Sequence, residues 1–260
     1  MFLEIQDVNK RFPYKDKEEL TVLKEINVSV EKGEFISLLG PSGCGKSTLL
    51  SIVSGLVKPS DGKLLLNQQE IKKPGPDKGM VFQEAALFPW MSVLENVMFP
   101  LRKKMSKEQQ KSVAMEHLKM VHLAPFADSY PHSLSGGMQQ RVAIARALAM
   151  DPELLLMDEP FGALDEQTRS MLHEELEHIW LKTKKTILFV THNISEAIKL
   201  SDRILVMGTR PGSIIKDYRV DLPRPRTNVR EQMVEMEDEI MQVLGKEIEK
   251  VKKEELQYEH

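Results

Sequence analysis

Residues 35–53 pass from a short apolar segment, through three glycines, straight into a helical pattern. Phe35-Ile36-Ser37-Leu38-Leu39 suits a buried strand, and Leu49-Leu50-Ser51-Ile52-Val53 has the apolar spacing of a helix. Between them stands Gly40-Pro41-Ser42-Gly43-Cys44-Gly45-Lys46-Ser47-Thr48, which fits G-x-x-x-x-G-K-[ST]. Glycines let such a loop curl until successive N–H groups point inward, and the helix N-terminus adds partial positive charge. The combination is a cradle for phosphate oxygens. Lys46 is placed to reach the β- and γ-phosphates of a nucleotide, and the Ser47 hydroxyl to sit on Mg²⁺.

The rest of the chain reads as an α/β fold around this unit. Leu3-Glu4-Ile5-Gln6-Asp7-Val8 and Ile26-Asn27-Val28-Ser29-Val30 alternate as strands do, and residues 62–66 and 79–82 look like further strands. From about Val93 to Leu123 the pattern turns helical, with Ser106 and Glu108-Gln109 as a cap region, and reads as a helical insertion. Beyond it, helices at about 138–149, 166–182 and 193–199 alternate with strands at 154–157, 186–190 and 203–207. That order predicts βαβ units on a mostly parallel sheet. From about Asn228 the tail is charged and helical. Val229, Met233, Met236, Ile240, Val243, Leu244, Ile248 and Val251 form one apolar stripe, interrupted by Gly245. Such a stripe either docks on its own domain or binds a partner.

Composition narrows the partners. Charged residues make up 29% of 260 and the net charge is -3, so no nucleic-acid partner is expected. Cys44 is the single cysteine, which excludes an intrachain disulfide and fits a reducing compartment. No apolar run approaches membrane-spanning length, and Met1-Phe2-Leu3-Glu4-Ile5 does not read as a signal peptide. The expectation is a cytosolic chain that meets membranes only through a partner.

Two more segments carry chemistry. Leu154-Leu155-Leu156-Met157-Asp158-Glu159 is a buried strand with two carboxylates at its C-terminal end, where ligands gather in open α/β sheets. Asp158 can hold Mg²⁺, directly or through water, and Glu159 can polarise a water for attack on the γ-phosphate. Ser135-Gly136-Gly137, at the start of a helix, is a second anion site. One chain thus has two phosphate-recognising elements but a single Lys46 and a single Asp158.

Together these segments resemble the ATP-binding cassette (ABC) ATPases over residues 2–225. Residues 40–48 match their Walker A, residues 154–159 their Walker B, and Leu134-Ser135-Gly136-Gly137-Met138-Gln139-Gln140 their signature. Gln83 resembles the Q-loop glutamine, Ala163-Leu164-Asp165 the D-loop, and His192 the switch histidine. The resemblance implies a P-loop NTPase core with an N-terminal antiparallel β-subdomain and a helical subdomain at about 90–150, inside an ATPase domain of 2–227. Residues 228–260 form a charged extension.

The implied mechanism is head-to-tail pairing of two copies. ATP is sandwiched between one Walker A and the other copy's Ser135, Gly136 and Gly137, with Glu159 as general base. His192 contacts the γ-phosphate and the attacking water. Gln83 senses Mg²⁺, and Asp165 belongs to the nucleotide interface. An aromatic stacks on adenine, either Phe12, four residues after Val8, or Tyr14.

A lone cassette without a membrane span is, in this family, a transporter ATPase docked on integral membrane permease subunits at the cytoplasmic side of the membrane. Gly75-Pro76-Asp77-Lys78-Gly79-Met80-Val81-Phe82-Gln83-Glu84, Leu87-Phe88-Pro89-Trp90, Arg210-Pro211-Gly212 and Leu222-Pro223-Arg224-Pro225-Arg226 resemble the nitrate/sulfonate/taurine importers. A solute-binding protein is then an indirect partner. The apolar stretch from Ala85 to Met91 either meets a permease coupling helix or packs internally. An ATP-binding regulator, or a P-loop kinase or GTPase, are the other classes. A kinase has no need of residues 134–140, and the guanine-specific Asn-Lys-x-Asp run is missing from the chain.

Overall fold

The computed structural model describes residues 1–14, 18–162, 164–226 and 230–258, with side chains described except at 230 and 250–258. In chain order the elements are β1 (Leu3–Pro13), β2 (Glu19–Val30), β3 (Phe35–Leu39), α1 (Lys46–Ser54), β4 (Asp61–Leu66), β5 (Gln69–Glu70) and β6 (Lys78–Val81). Then follow α2 (Val93–Met98), α3 (Lys107–Met120), α4 (Gly136–Ala149), β7 (Leu154–Asp158), α5 (Glu166–Thr183), β8 (Thr186–Thr191), α6 (Ile194–Leu200), β9 (Arg203–Met207), β10 (Ile214–Arg219) and α7 (Arg230–Tyr258). The chain divides into two compact units, Met1–Pro74 with Leu188–His260, and Gly75–Ile187.

In the first unit, β2, β1, β4 and β5 form an antiparallel sheet in that order. Leu3 and Ile5 share one face, but Val8 has the wrong parity for it. A register slip between Ile5 and Val8, with Asp7 at φ 48, turns Val8 back into the core. β3 is buried along its whole length, which suits a parallel strand covered on both faces. It pairs parallel with β9, from Ile36 opposite Arg203 to Leu39 opposite Val206.

β5 and β10 were not legible as strands. β10 reads Ile-Ile-Lys-Asp-Tyr-Arg and pairs antiparallel with β9. Asp217 on it accepts two hydrogen bonds from Arg203, at 2.8 and 2.5 Å.

The charged tail docks on its own unit. Ile240 and Leu244 of α7 are buried with Ala197 and Ile198 of α6, Ile204 and Val206 of β9, and Tyr218 of β10. Met233, Met236 and Val243 pack beside them. Gly245 does not interrupt the helix. Val229 lies outside the described residues, as does the side chain of Val251. The late Leu222-Pro223-Arg224-Pro225-Arg226 segment caps α6. Arg224 donates to Leu200 O at 2.6 Å, and buried Arg226 to Ile198 O and Ser201 O at 2.5 and 2.6 Å.

In the second unit β6 and β7 are parallel, Lys78 opposite Leu154 and Val81 opposite Met157. The helical stretch expected over 93–123 is broken. A 3₁₀ turn at Phe99–Leu101, with a proline in its first turn, separates α2 from α3. Ser92 with Glu95, and Ser106 with Gln109, form reciprocal capping boxes that start each helix afresh. Among the described residues no helix is long and apolar enough to cross a membrane.

Candidate functional site

The phosphate loop lies in the first unit and runs from the end of β3 into α1. Gly45 precedes the helix at φ 98, a left-handed conformation that only glycine adopts without strain. A Cβ there would also lie 2.6 Å from Leu23 Cδ2. Gly43, at φ 77, faces open space. Gly40 and Cys44 are buried, Pro41 and Thr48 half-buried, and Ser42 and Ser47 exposed. Lys46 is buried, and its ammonium donates to Gly40 O at 2.8 Å and Pro41 O at 3.0 Å. The loop therefore wraps its own cation, and main-chain groups surround that charge.

Phe12 ends β1 with 37% of its surface exposed, and the Lys10 ammonium sits 4.7 Å from its ring centroid. Tyr14 follows at 55% exposure. Both rings are exposed. His192 is exposed just past the end of β8.

The carboxylates belong to the second unit. Asp158 closes β7, and both it and Glu159 are half-buried. Glu159 sits at φ 42, a strained conformation for a residue with a side chain. A Cβ placed on Gly162 would lie 3.3 Å from Gln83 Nε2 and 3.7 Å from Glu159 Oε2. The structure thus brings Gln83 and Glu159 together around that glycine.

Ser135 and Asp165 both prove to be helix caps. The Ser135 hydroxyl accepts from Met138 N at 3.3 Å at the start of the 14-residue α4. The Asp165 carboxylate accepts from Thr168 N at 3.0 Å and from the Thr168 hydroxyl at 2.7 Å. Those hydrogen bonds, the main-chain one foremost, hold its carboxyl below the usual carboxylate range. The two caps are neighbours: a Cβ on Gly137 would meet Thr168 Cγ2 at 2.5 Å, and one on Gly136 would meet Leu164 Cδ2 at 3.5 Å. Ala163 lies outside the described residues.

Three side chains that sequence reasoning passed over organise this unit. Gln140, buried on α4, donates to Phe82 O at 3.0 Å, next to Gln83. Arg146, two turns further along α4, donates to Ala86 O at 2.7 Å and Ala85 O at 2.9 Å. Burial lowers the pKa of its guanidinium, which stays protonated. The helix opened by Ser135 therefore grips the segment around Gln83 at three carbonyls, one before it and two after. Asn96, fully buried, accepts from Phe88 N at 2.8 Å and donates to the carbonyls of Phe88, Met91 and Ser92 at 3.2, 3.1 and 3.0 Å. That leaves Trp90 70% exposed beside Phe88, with ring centroids 5.6 Å apart. The only sequence signal for these roles is a polar residue inside an apolar helical pattern.

The oxygen-rich donor set suits a hard divalent cation. Among the described residues no group of three or more His, Cys, Asp or Glu could hold a metal. Ser47, Gln83 and Asp158 each offer an oxygen donor of that kind.

A family model described as ABC transporter matches residues 23–162, more than half of the chain. The chain belongs to the ABC transporter family. Its fold is that of an ABC ATPase, and its activity class is ATP binding and hydrolysis. It is 48% identical, over 95% of its length and 92% of the relative's, to an uncharacterized ABC transporter ATP-binding protein of Methanocaldococcus jannaschii. It is 46% identical, over 93% of its length and 95% of the relative's, to the aliphatic sulfonates import ATP-binding protein SsuB of Bacillus cereus. Among solved structures, a dimeric ATP-binding cassette in a post-hydrolysis state with ADP and Pi superposes with a TM-score of 0.74. That match has 36% identity and covers 85% of this chain and all of the other.

Proposed function

We propose that this chain is the ATP-hydrolysing subunit of an ABC importer for a small solute of the nitrate, sulfonate or taurine kind or a related one. The observation that carries the catalytic reading is the meeting of Glu159 and Gln83 around Gly162, with Glu159 held at φ 42.

Lys46 and the main-chain N–H groups of residues 40–48 bind the β- and γ-phosphates of ATP, and Phe12, with Tyr14 as the alternative, stacks on adenine. Ser47, Gln83 and Asp158 hold Mg²⁺, which when bound withdraws charge from the phosphoryl oxygens. Glu159 takes a proton from the attacking water as its oxygen bonds to the γ-phosphorus and the bond to the β–γ bridging oxygen breaks. His192 orients that water against the γ-phosphate. Ser135, Gly136, Gly137 and Asp165 serve the nucleotide held by a second copy, arranged head to tail. Two N-terminal helix ends then share one triphosphate, and its cleavage releases the pair.

Permease subunits meet this chain at the cytoplasmic face of the membrane, and a solute-binding protein delivers cargo to them. The exposed Trp90 and a cavity of about 520 Å³ lined by Gln83, Ala86, Leu87, His132 and Gln139 support a docking site there. The ATPase domain is 2–227, with a helical subdomain at about 90–150 and an extension at 228–260.

Replacing Glu159 with Gln keeps an acceptor but removes the base. Turnover is expected to fall by about 10²–10⁴-fold with ATP affinity retained, and an ATP-dependent dimer should accumulate in size-exclusion chromatography. Wild-type turnover in this variant refutes the assignment.

A further inference from the structure

His192 is exposed, yet both neighbours in the chain are tied down. The direction in which a side chain leaves the backbone is set by the main chain that carries it. Thr191, at the end of β8, is 2% exposed, and its hydroxyl donates to the carboxylate of Glu196. The same hydroxyl accepts from Asn193 N at 3.0 Å. The Asn193 side chain then accepts from Glu196 N at 3.0 Å, and Asn193 O accepts from Ala197 N at 3.1 Å. A closed loop of hydrogen bonds therefore runs Glu196, Thr191, Asn193, Glu196, and His192 lies inside it. Glu196 is itself only 6% exposed in the first turn of α6.

We propose that Glu196 is a positioning residue for His192, acting through the Thr191 hydroxyl. A buried carboxylate is costly unless it is hydrogen-bonded, so its presence one turn past an exposed histidine needs a return. The return is orientation. A carboxylate has no proton to give, so it makes the Thr191 hydroxyl a donor toward itself and leaves that oxygen's lone pairs to the Asn193 N–H. Both main-chain segments flanking His192 are then fixed to one helix. This inference rests on the catalytic reading of His192.

The test uses steady-state ATP hydrolysis and thermal unfolding of the full chain. Glu196→Ala and Thr191→Val are expected to lower kcat about 10- to 100-fold, with KM for ATP changed less than about twofold. Glu196→Gln and Thr191→Ser, which keep the acceptor and the hydroxyl, are expected to restore most of it. In a His192→Ala background, Glu196→Ala is expected to lower kcat no further, because residues acting through one group are not additive. The inference is overturned if Glu196→Ala and Thr191→Val leave kcat unchanged while His192→Ala abolishes it. It is equally overturned if Glu196→Ala is additive with His192→Ala. Should His192→Ala itself retain wild-type kcat, the histidine's role falls and the inference with it. A Glu196→Ala chain that fails to fold leaves the Thr191→Val and Thr191→Ser pair to decide.

Discussion

Gly212 offers a direct way to disturb the phosphate loop from outside it. Its N–H donates to Val22 O at 2.9 Å, and its carbonyl accepts from Lys24 N at 2.9 Å, so its main chain is fixed against β2. A Cβ at this position would lie 2.0 Å from Cys44 O and 3.1 Å from Val22 O. An ordinary contact begins at 3.4 Å, so in Gly212→Ala the separation from Cys44 O must open by 3.4 − 2.0 = 1.4 Å. Both groups are main chain, and Cys44 is buried, so no flexible side chain can absorb the movement. Overpacking of this kind costs about 1–3 kcal/mol. For a chain of this size each kcal/mol lowers Tm by about 2–4 °C, which gives a fall of about 2–12 °C. Cys44 is two residues from Lys46, and a shift of about 1 Å in a positioned group can cost about 100-fold. ATP affinity is therefore expected to drop about 100-fold, or about 2.7 kcal/mol. Titration with a fluorescent ATP analogue and a thermal melt read both quantities. Affinity within twofold of wild type, with Tm unchanged, would refute the claim that this loop braces the phosphate site.

Two further outcomes test the architecture. Arg146→Ala removes two charge-assisted hydrogen bonds and frees Ala86 from φ 46, at a cost of about 1–3 kcal/mol. Amide hydrogen exchange over residues 83–87 should accelerate while ATP affinity holds, and unchanged exchange would show that the Arg146 grip is idle. Ile240→Ala empties a fully buried position on α7 and should cost about 2–5 kcal/mol in a melt. A loss below about 0.5 kcal/mol, the range of surface substitutions, would mean that the helix does not dock as described.

Much of the fold is written locally. The mostly apolar runs of β3 and β7, the loop at 40–48 and the alternation of helix and strand follow from side-chain period and from the conformations glycine permits. The segments that resemble the Walker motifs, the signature and the switch histidine stood out for the same reason, since each is a short run of consecutive residues. β10 escaped notice because its polar residues occupy an antiparallel edge pairing with β9, where no long apolar run is needed. The break between α2 and α3 was hidden because one apolar-rich helical pattern looks much like two.

Sequence alone picked out the candidate groups: a glycine-rich loop ahead of a helix, two carboxylates at a strand end, a glutamine, a histidine and a Ser-Gly-Gly helix start. Tertiary structure decided what holds each of them. Gln140 and Arg146 reach carbonyls 58 to 61 residues away, Gly212 meets a carbonyl far earlier in the chain, and α7 fills a groove built by α6, β9 and β10. The physical reason is range. Backbone conformation and face alternation repeat every two to four residues and leave a periodic trace, whereas a side chain bonded to a distant carbonyl leaves only a lone polar letter among apolar ones.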